Sequence, residues 1–265
     1  MGQVTEGVFS TGVPYLRTGH GPPLLMASGL TSEHANPNGV WRRMALSWVA
    51  PFAEHFTVYL ANRRPGLEVG TTMADLAADY AGGIRHDIGE ETLVHGTSTG
   101  GSIALQLAID HPDLVGRLVV SAAACRLSDE GRRVQLELLR LTEAGDARGV
   151  GAFLMGTMAP GPLTYPARGF GWLAGRMFAS DDPSDTVAVL RAEDAFDAEP
   201  DLGYIRASTL VLGGTADAFY SEELFRRTGD GIPDGRAVLF PGKAHMYVAG
   251  SAVPAAVALG FLVGG

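Results

Sequence analysis

The most regular hydrophobic pattern in the chain lies between residues 73 and 84. Apolar side chains recur there at positions i, i+3, i+4, i+7, i+8 and i+11, and they are Met73, Leu76, Ala77, Tyr80, Ala81 and Ile84. A stripe of this period predicts an amphipathic helix with one buried face. Thr71 or Thr72 precedes the stripe and can cap the first turn.

Short apolar runs alternate with helical patterns along most of the chain. The run at 24–27, Leu-Leu-Met-Ala, is typical of a strand buried on both faces. Further strands are predicted at 4–9, 13–18, 56–60, 92–95, 114–121, 209–213 and 236–240, and further helices at 41–54, 98–110, 221–228 and 253–263. Strand and helix in repeated alternation predict an α/β fold with a mostly parallel sheet and helices on both faces.

The alternation stops near Cys125. From residue 126 to about 201 the sequence shows only helical segments, at 133–142, 147–158 and 170–178, separated by glycine and proline breaks. We therefore expect one α/β core formed by residues 1–125 and 202–265, with an all-helical insertion at 126–201.

Composition excludes several classes of protein. With 46% hydrophobic and 18% charged residues the chain is globular rather than disordered. A net charge of −9 provides no basic surface for nucleic acid. The single cysteine, Cys125, allows neither an internal disulfide nor a multi-cysteine metal site. Residues 1–10 lack a signal-peptide pattern, and no apolar stretch is long enough to span a membrane, so we expect a cytoplasmic protein without membrane contact.

The sequence at 96–100, Gly-Thr-Ser-Thr-Gly, carries the first indication of chemistry. It matches the pattern G-x-S-x-G, directly follows a predicted buried strand and opens a predicted helix. In that setting a sharp turn exposes the serine hydroxyl above the sheet, here that of Ser98. The flanking glycines permit the turn, and the helix N-terminus favours negative charge beside the serine. The alternative is a serine that merely caps the helix.

With this motif, the order of strands and helices and the insertion after the sixth strand, the chain resembles the α/β-hydrolase superfamily. The resemblance covers nearly the whole chain. Within the superfamily, the chain is most similar in organisation to small esterases, cofactor-free haloperoxidases and proline iminopeptidases. It implies the α/β-hydrolase sheet with an inserted helical cap. It also implies a catalytic triad in the chain order serine, acid, histidine.

The resemblance implies Ser98 as nucleophile and places the other two triad members. Of seven histidines, only His245 lies C-terminal to the strand at 114–121, in the loop after the last strand where the family has its base. His95 precedes the motif and is interpreted as structural. Asp217 follows the strand at 209–213, the family's usual place for the acid. Some relatives carry the acid after the sixth strand, where the first carboxylate here is Asp129.

The resemblance also implies two backbone donors for the oxyanion of the tetrahedral intermediate. One is the N–H of Thr99 and the other is the N–H of Leu30, in the loop after the third strand. This loop reads Ser28-Gly29-Leu30 where the family has His-Gly-x, which removes its usual bracing residue. Residues 62–66 read Asn-Arg-Arg-Pro-Gly where relatives often have Asp-x-Arg-Gly. We interpret that second departure as structural.

The insertion is rich in large apolar side chains. We expect most of them to hold the cap to the sheet and the remainder to line a pocket for an apolar small molecule. They are Phe153, Leu154, Met155, Met158, Phe170, Trp172, Leu173, Met177 and Phe178.

The resemblance implies a serine hydrolase that cleaves an ester, thioester or lactone through an acyl-enzyme, with no cofactor and no metal. Two alternatives remain open at this point. The same triad could serve a C–C bond hydrolase or a biosynthetic cyclase, and the fold could serve a non-enzymatic ligand sensor.

Overall fold

The computed structural model describes residues 3–159, 161–177, 180 and 182–264. Its eight strands form one sheet in the order β1-β2-β4-β3-β5-β6-β7-β8. They are β1 (Thr5–Val8), β2 (Pro14–Gly19), β3 (Pro23–Ala27), β4 (Thr57–Ala61), β5 (Thr92–Thr97), β6 (Val115–Ser121), β7 (Ser208–Gly214) and β8 (Gly235–Phe240). Strand β2 runs antiparallel to β1 and β4, and the other neighbours are parallel. The predicted mostly parallel α/β sheet is confirmed.

Helices pack on both faces of this sheet. They are α1 (Gly39–Ala53), α2 (Met73–Gly83), α3 (Thr99–Asp110), α4 (Asp129–Glu143), α5 (Ala147–Met158), α6 (Thr164–Leu173), α7 (Ser184–Asp194), α8 (Glu222–Gly231), α9 (His245–Gly250) and α10 (Ala252–Val263). None of the helices in the described part of the chain has the length and hydropathy needed to cross a bilayer.

Two apolar cores, one on each face, hold the helices to the sheet. Helices α2, α3 and α8 contribute buried side chains such as Leu76, Ile103 and Phe225 to the larger core. Helices α1 and α10 contribute Phe52 and Leu262 to the second core on the opposite face. The α2 stripe is buried as the periodicity predicts, and Thr72, not Thr71, caps the helix by accepting a hydrogen bond from the Asp75 N–H.

In its described residues, the segment between β6 and β7 contains four α-helices, α4 to α7, and these helices differ from the predicted ones in two respects. The helix expected at 170–178 begins earlier, at Thr164, and ends at Leu173. Pro166 lies in its first turn, where a backbone N–H has no helical partner to lose, so the proline does not break the helix. Helix α7 was not predicted. Phe178 lies outside the described residues.

Candidate active site

The turn at Ser98 has the geometry of a strained strand-to-helix elbow. Ser98 lies between β5 and α3 with φ 53° and ψ −128°, a conformation that non-glycine residues rarely adopt. A Cβ atom on Gly96 would lie 2.3 Å from the Gly100 carbonyl oxygen, and one on Gly100 would lie 2.2 Å from that of Ala27. Only glycine fits at either position, so both flanking glycines are needed for the turn that presents the hydroxyl.

One continuous hydrogen-bond chain connects Ser98 to a carboxylate. The Nε2 atom of His245 lies 3.0 Å from the Ser98 hydroxyl oxygen, and its Nδ1 atom lies 2.8 Å from an oxygen of Asp217. Because an ionised carboxylate only accepts hydrogen bonds, Nδ1 carries the proton and Nε2 is free to accept one from Ser98. The structure therefore brings together the three side chains expected from the sequence.

The residues around this hydrogen-bond chain hold the imidazole of His245 in place. The second oxygen of Asp217 accepts hydrogen bonds from the backbone N–H groups of Phe219 and Tyr220, at 2.8 and 3.3 Å. The ring of Phe219 packs against the imidazole of His245 with centroids 5.0 Å apart. The side chains of His245 and Asp217 are 5% and 0% exposed, so the pair is shielded from water.

The other candidates for the catalytic base and acid, His95 and Asp129, form no hydrogen bond with Ser98 or His245. His95 is buried, and its Nε2 atom is 2.8 Å from the hydroxyl of Ser121 rather than from Ser98. Asp129 is the first residue of α4 and is exposed. Neither side chain takes part in the hydrogen-bond chain of Ser98.

The loop after β3 is held by a residue to which the sequence assigned no chemical role, Arg63. Arg63 is 1% exposed, and its guanidinium donates hydrogen bonds to the carbonyl oxygens of Ser28 and Gly29, at 3.0 and 3.1 Å. It also donates to the hydroxyl of Thr31 at 2.8 Å and to Nε2 of His34 at 3.2 Å. The planar guanidinium carries several N–H donors in fixed directions and can bond all four acceptors at once, which the ammonium group of a lysine could not do.

Arg63 also fixes the direction in which the N–H of Leu30 points. The Gly29 carbonyl and the Leu30 N–H belong to one peptide unit, and this unit is trans, so the two groups point in opposite directions. Because the carbonyl faces Arg63, the N–H points away from it. The backbone of Gly29 also lies close to Ser98, since a Cβ on Gly29 would be 3.4 Å from the Cβ of Ser98.

The two expected oxyanion donors lie beside the same space. Leu30 and Thr99 both line the cavity that contains Ser98. Thr99 is the first residue of α3, so its N–H has no partner within the helix. Because Ser28 replaces the family's histidine, the loop after β3 lacks its usual bracing residue. Arg63 braces this loop instead.

A second residue that the sequence did not indicate is Glu193 of α7. It is buried and accepts hydrogen bonds from the hydroxyls of Thr99, Ser102 and Tyr220 and from the amide of Gln135, at 2.9 to 3.3 Å. Burial and the charge of Glu193 raise the pKa of Tyr220 well above its usual value. This carboxylate ties the inserted segment to the first turn of α3, next to Ser98.

Ser98 and His245 line a cavity of about 1250 Å³. The inserted segment contributes Leu154, Met155, Met158 and Met177 to it, as the apolar composition of that segment suggests.

The expectation that most of the large apolar side chains hold the insertion to the sheet is wrong, because four of the eight described ones line the cavity and a further three are exposed. Phe170, Trp172 and Leu173 are exposed, because α6 lies on the outer side of the segment and packs on α5 rather than on the sheet. Trp172 instead stacks against the guanidinium of Arg148, at 4.4 Å. Phe153 packs within the segment, against the small core that contains Leu138.

Two buried histidines make the stability of the fold depend on pH. Burial lowers the pKa of His95 to about 4, and burial together with the charge of Arg63 lowers that of His34 to about 4. Below about pH 6.5 the unfolded chain therefore binds protons that the folded protein does not, and the fold loses stability as the pH falls toward 4.

We expect the free energy of unfolding, measured by urea titration at several pH values, to fall through this range by about 1.4 kcal/mol per pH unit for each histidine. The variant His95→Phe should show a slope reduced by one histidine's share. An unchanged slope in His95→Phe would mean that His95 is not held neutral in the fold.

The sheet order, the strained elbow and the hydrogen-bonded serine, histidine and aspartate define a protein of the α/β-hydrolase class. Residues 18–258 match the model of the alpha/beta hydrolase family, and the chain belongs to this family. It is a hydrolase.

Individual relatives are distant. A putative carbamate hydrolase, RutD, from Azorhizobium caulinodans is 25% identical over 243 residues, which cover 87% of each chain. Among solved structures, MGS-M2, an alpha/beta hydrolase from a Medee basin deep-sea metagenome library, has a TM-score of 0.78 with 16% identity over 95% of this chain and 93% of that one. The enol-lactonase from Burkholderia xenovorans LB400 has a TM-score of 0.77 with 18% identity over 98% of both chains. These structural likenesses support the fold alone.

Proposed function

We propose that this protein is a serine hydrolase that cleaves an ester, thioester or lactone of a mostly apolar small molecule through an acyl-enzyme. The observation that carries the proposal is the hydrogen-bond chain from Asp217 through His245 to Ser98, which opens into a mostly apolar cavity. In this interpretation Ser98 is the nucleophile, His245 the general base and acid, and Asp217 the residue that orients the imidazole. The segment 126–201 is the cap that covers the site.

In the first half-reaction the Ser98 oxygen attacks the substrate carbonyl carbon while its proton moves to Nε2 of His245. Asp217 keeps Nδ1 protonated and stabilises the imidazolium that forms. The carbonyl oxygen becomes an oxyanion, which the N–H groups of Leu30 and Thr99 bind. The intermediate then collapses, the bond to the leaving group breaks, and His245 returns its proton to that group.

In the second half-reaction a water molecule replaces the leaving group. His245 removes a proton from the water, the hydroxide oxygen attacks the acyl carbon, and a second oxyanion forms in the same place. Collapse of this intermediate releases the carboxylic acid and returns the proton from His245 to Ser98.

Arg63 supports both half-reactions by fixing the donor from Leu30. A charge-assisted hydrogen bond to the Gly29 carbonyl holds the peptide plane and polarises it, which strengthens its N–H as a donor. Because this arrangement exists before substrate binds, it requires little reorganisation in the transition state.

The proposal is tested with a panel of p-nitrophenyl esters, a thioester, a lactone and a carbamate, the last chosen because of the relative RutD. We expect turnover of at least one ester, and kcat/KM at background level in Ser98→Ala. The matched control is Ser102→Ala, which removes a buried serine hydroxyl one turn further along α3 and should retain most of the activity. Equal activity of wild type and Ser98→Ala, or no turnover of any acyl compound, would overturn the proposal.

A further inference from the structure

The outer side of α6 is an apolar surface that the described part of the chain leaves uncovered. Tyr165 and Leu173 lie eight residues apart, on one side of the helix, and are 82% and 78% exposed. Phe170 and Trp172 flank them and are also exposed. The opposite side of α6 packs on α5 at Gly171. We call the four large side chains the α6 face. An exposed apolar patch of this kind marks a site of contact with a partner or a membrane.

The charged residues in the sequence around the α6 face are all of one sign. Residues 147–180 contain Arg148, Arg168 and Arg176 but no aspartate, glutamate or lysine, although the whole chain has a net charge of −9. All three arginines are exposed. Among the described residues none of the three pairs with a carboxylate, whereas each of the other five arginines of the inserted segment does. This part of the surface therefore carries positive charge that no described side chain neutralises.

Contacts between α5 and α6 place the arginines beside the apolar side chains. The guanidinium of Arg148 stacks on the ring of Trp172, 4.4 Å from its centroid. Arg176 follows Gly175, and a Cβ on Gly175 would lie 2.6 Å from the Cα of Arg148, so these two arginines are close neighbours. Arg168 belongs to α6 itself. The three cations therefore border the α6 face.

This combination fits the surface of an anionic lipid bilayer. Tyrosine and tryptophan favour the bilayer interface, where the ring contacts the acyl boundary and its polar group remains in water. Arginines beside such rings attract anionic headgroups and can bind their phosphates. A second copy of the chain fits less well, because a two-fold interface would bring the unpaired arginines of the two copies together.

We propose that the α6 face is a docking surface for an anionic lipid bilayer, with its aromatic rings at headgroup level and Arg148, Arg168 and Arg176 against the lipid phosphates. Because the chain as a whole is negative, an anionic surface repels its other sides and selects this orientation. The expectation of no membrane contact was based on the lack of a signal-peptide pattern and of a spanning segment, and neither of these concerns a contact at the surface.

The α6 face also borders the cavity at Ser98. Arg176 and Met177 line this cavity, and Met177 is half exposed. A docked protein would therefore hold its cavity close to the bilayer, where an apolar substrate is concentrated. This last consequence rests on the proposed function, whereas the docking itself does not.

The first test measures co-sedimentation of the full chain with lipid vesicles. We expect binding to an equal mixture of phosphatidylglycerol and phosphatidylcholine, and binding about tenfold weaker or less to pure phosphatidylcholine, because each arginine near an anionic surface contributes about fivefold. Raising the salt from about 0.1 M to about 1 M should release the protein, since the Debye length shortens from about 10 to about 3 Å. Equal binding to both vesicles, or binding to neither, would overturn the proposal.

Two matched pairs of variants locate the contact. Tyr165→Asp places a negative charge in the α6 face, in the first turn of the helix, where aspartate is favourable for folding. Tyr204→Asp makes the same change at an exposed tyrosine before β7, at the edge of the sheet opposite to Ser98. Arg168→Gln and Arg206→Gln form the second pair, since Arg206 is also exposed and also precedes β7. We expect Tyr165→Asp to weaken binding to the anionic vesicles about tenfold or more and Arg168→Gln about fivefold, with both controls near wild type. Equal effects within both pairs would overturn the proposal.

Vesicle binding does not require turnover, so the docking and the proposed hydrolysis can fail separately. Ser98→Ala should bind vesicles as wild type does, and Tyr165→Asp should hydrolyse p-nitrophenyl acetate at the wild-type rate, because Tyr165 does not line the cavity. Vesicle binding without any turnover would support the docking and argue against the hydrolysis. A concentration-dependent dimer that Tyr165→Asp abolishes, without vesicle binding, would assign the α6 face to a second copy and overturn the proposal.

Discussion

The variant Asp217→Asn should lose about 10⁴-fold in kcat while its KM and its fold change little, by analogy with the same change in a Ser-His-Asp triad. The asparagine oxygen can still accept the N–H groups of Phe219 and Tyr220, so the loop stays in place. Its amide NH₂ then faces Nδ1 of His245 and forces the imidazole into the other tautomer. Nε2 would carry the proton and could not accept one from Ser98. Steady-state kinetics and circular dichroism measure the two effects.

Asp129→Asn is the matched control, because Asp129 is the first carboxylate after β6, where some relatives carry the acid. We expect it to have wild-type kinetics, since its side chain lies outside the hydrogen-bond chain of Ser98. A nearly active Asp217→Asn together with an inactive Asp129→Asn would show that the acid is assigned to the wrong strand.

The variant Arg63→Met should lose about 10² to 10³-fold in kcat, comparable to removal of one oxyanion donor. Methionine fills space but offers no hydrogen bond to the Ser28 and Gly29 carbonyls, so the Leu30 N–H loses its fixed direction. A boronic acid inhibitor forms a tetrahedral adduct that uses the same donors. Its Ki should rise in parallel with the loss in kcat/KM, whereas the KM for substrate should change little.

Arg64→Met provides the control for the loss of a neighbouring arginine. Arg64 is more exposed, and its guanidinium pairs with Asp79 at 2.8 Å and donates to the Gly66 carbonyl rather than to the carbonyls of the loop after β3. We expect nearly normal kcat and boronate inhibition in this variant. If Arg63→Met is less stable to heat but has the kcat and Ki of wild type, then Arg63 supports the fold and does not position the donor.

The parts of the fold that could be predicted are those encoded by local patterns. Helix α2 was predicted because its buried face repeats with the helical period over eleven residues. The elbow was predicted because a strand, two glycines and a helix start are adjacent in sequence, and steric contact leaves no other residue at Gly96 or Gly100. The position of His245 after the last strand follows from strand order alone.

The residues that the sequence did not reveal owe their environment to distant segments. Glu193 is buried, and it accepts hydrogen bonds from the hydroxyls of Thr99 and Ser102, which lie more than ninety residues earlier in the chain. In sequence it belongs to an acidic stretch whose other members are surface residues, such as Asp194, which pairs with Arg132. Arg63 contacts carbonyl groups more than thirty residues away. Backbone carbonyls carry no sequence signal, so nothing marked this arginine as different from Arg64.

Exposure in the inserted segment was also beyond prediction. Phe170, Trp172 and Leu173 look like core residues by composition, but a helix can pack on another helix and leave one apolar side open. Only the three-dimensional arrangement of α5 and α6 shows which side that is.

The central claim is that Ser98 becomes covalently acylated, and identification of the modified residue tests it most directly. Wild-type protein is treated with a fluorophosphonate, or quenched with acid during turnover of an ester, and the adduct is located by mass spectrometry of its peptides. We expect one adduct per chain, on Ser98, present in Asp129→Asn and absent in Ser98→Ala. An adduct on another serine, such as Ser102 or Ser28, or hydrolysis by Ser98→Ala at the wild-type rate, would contradict it.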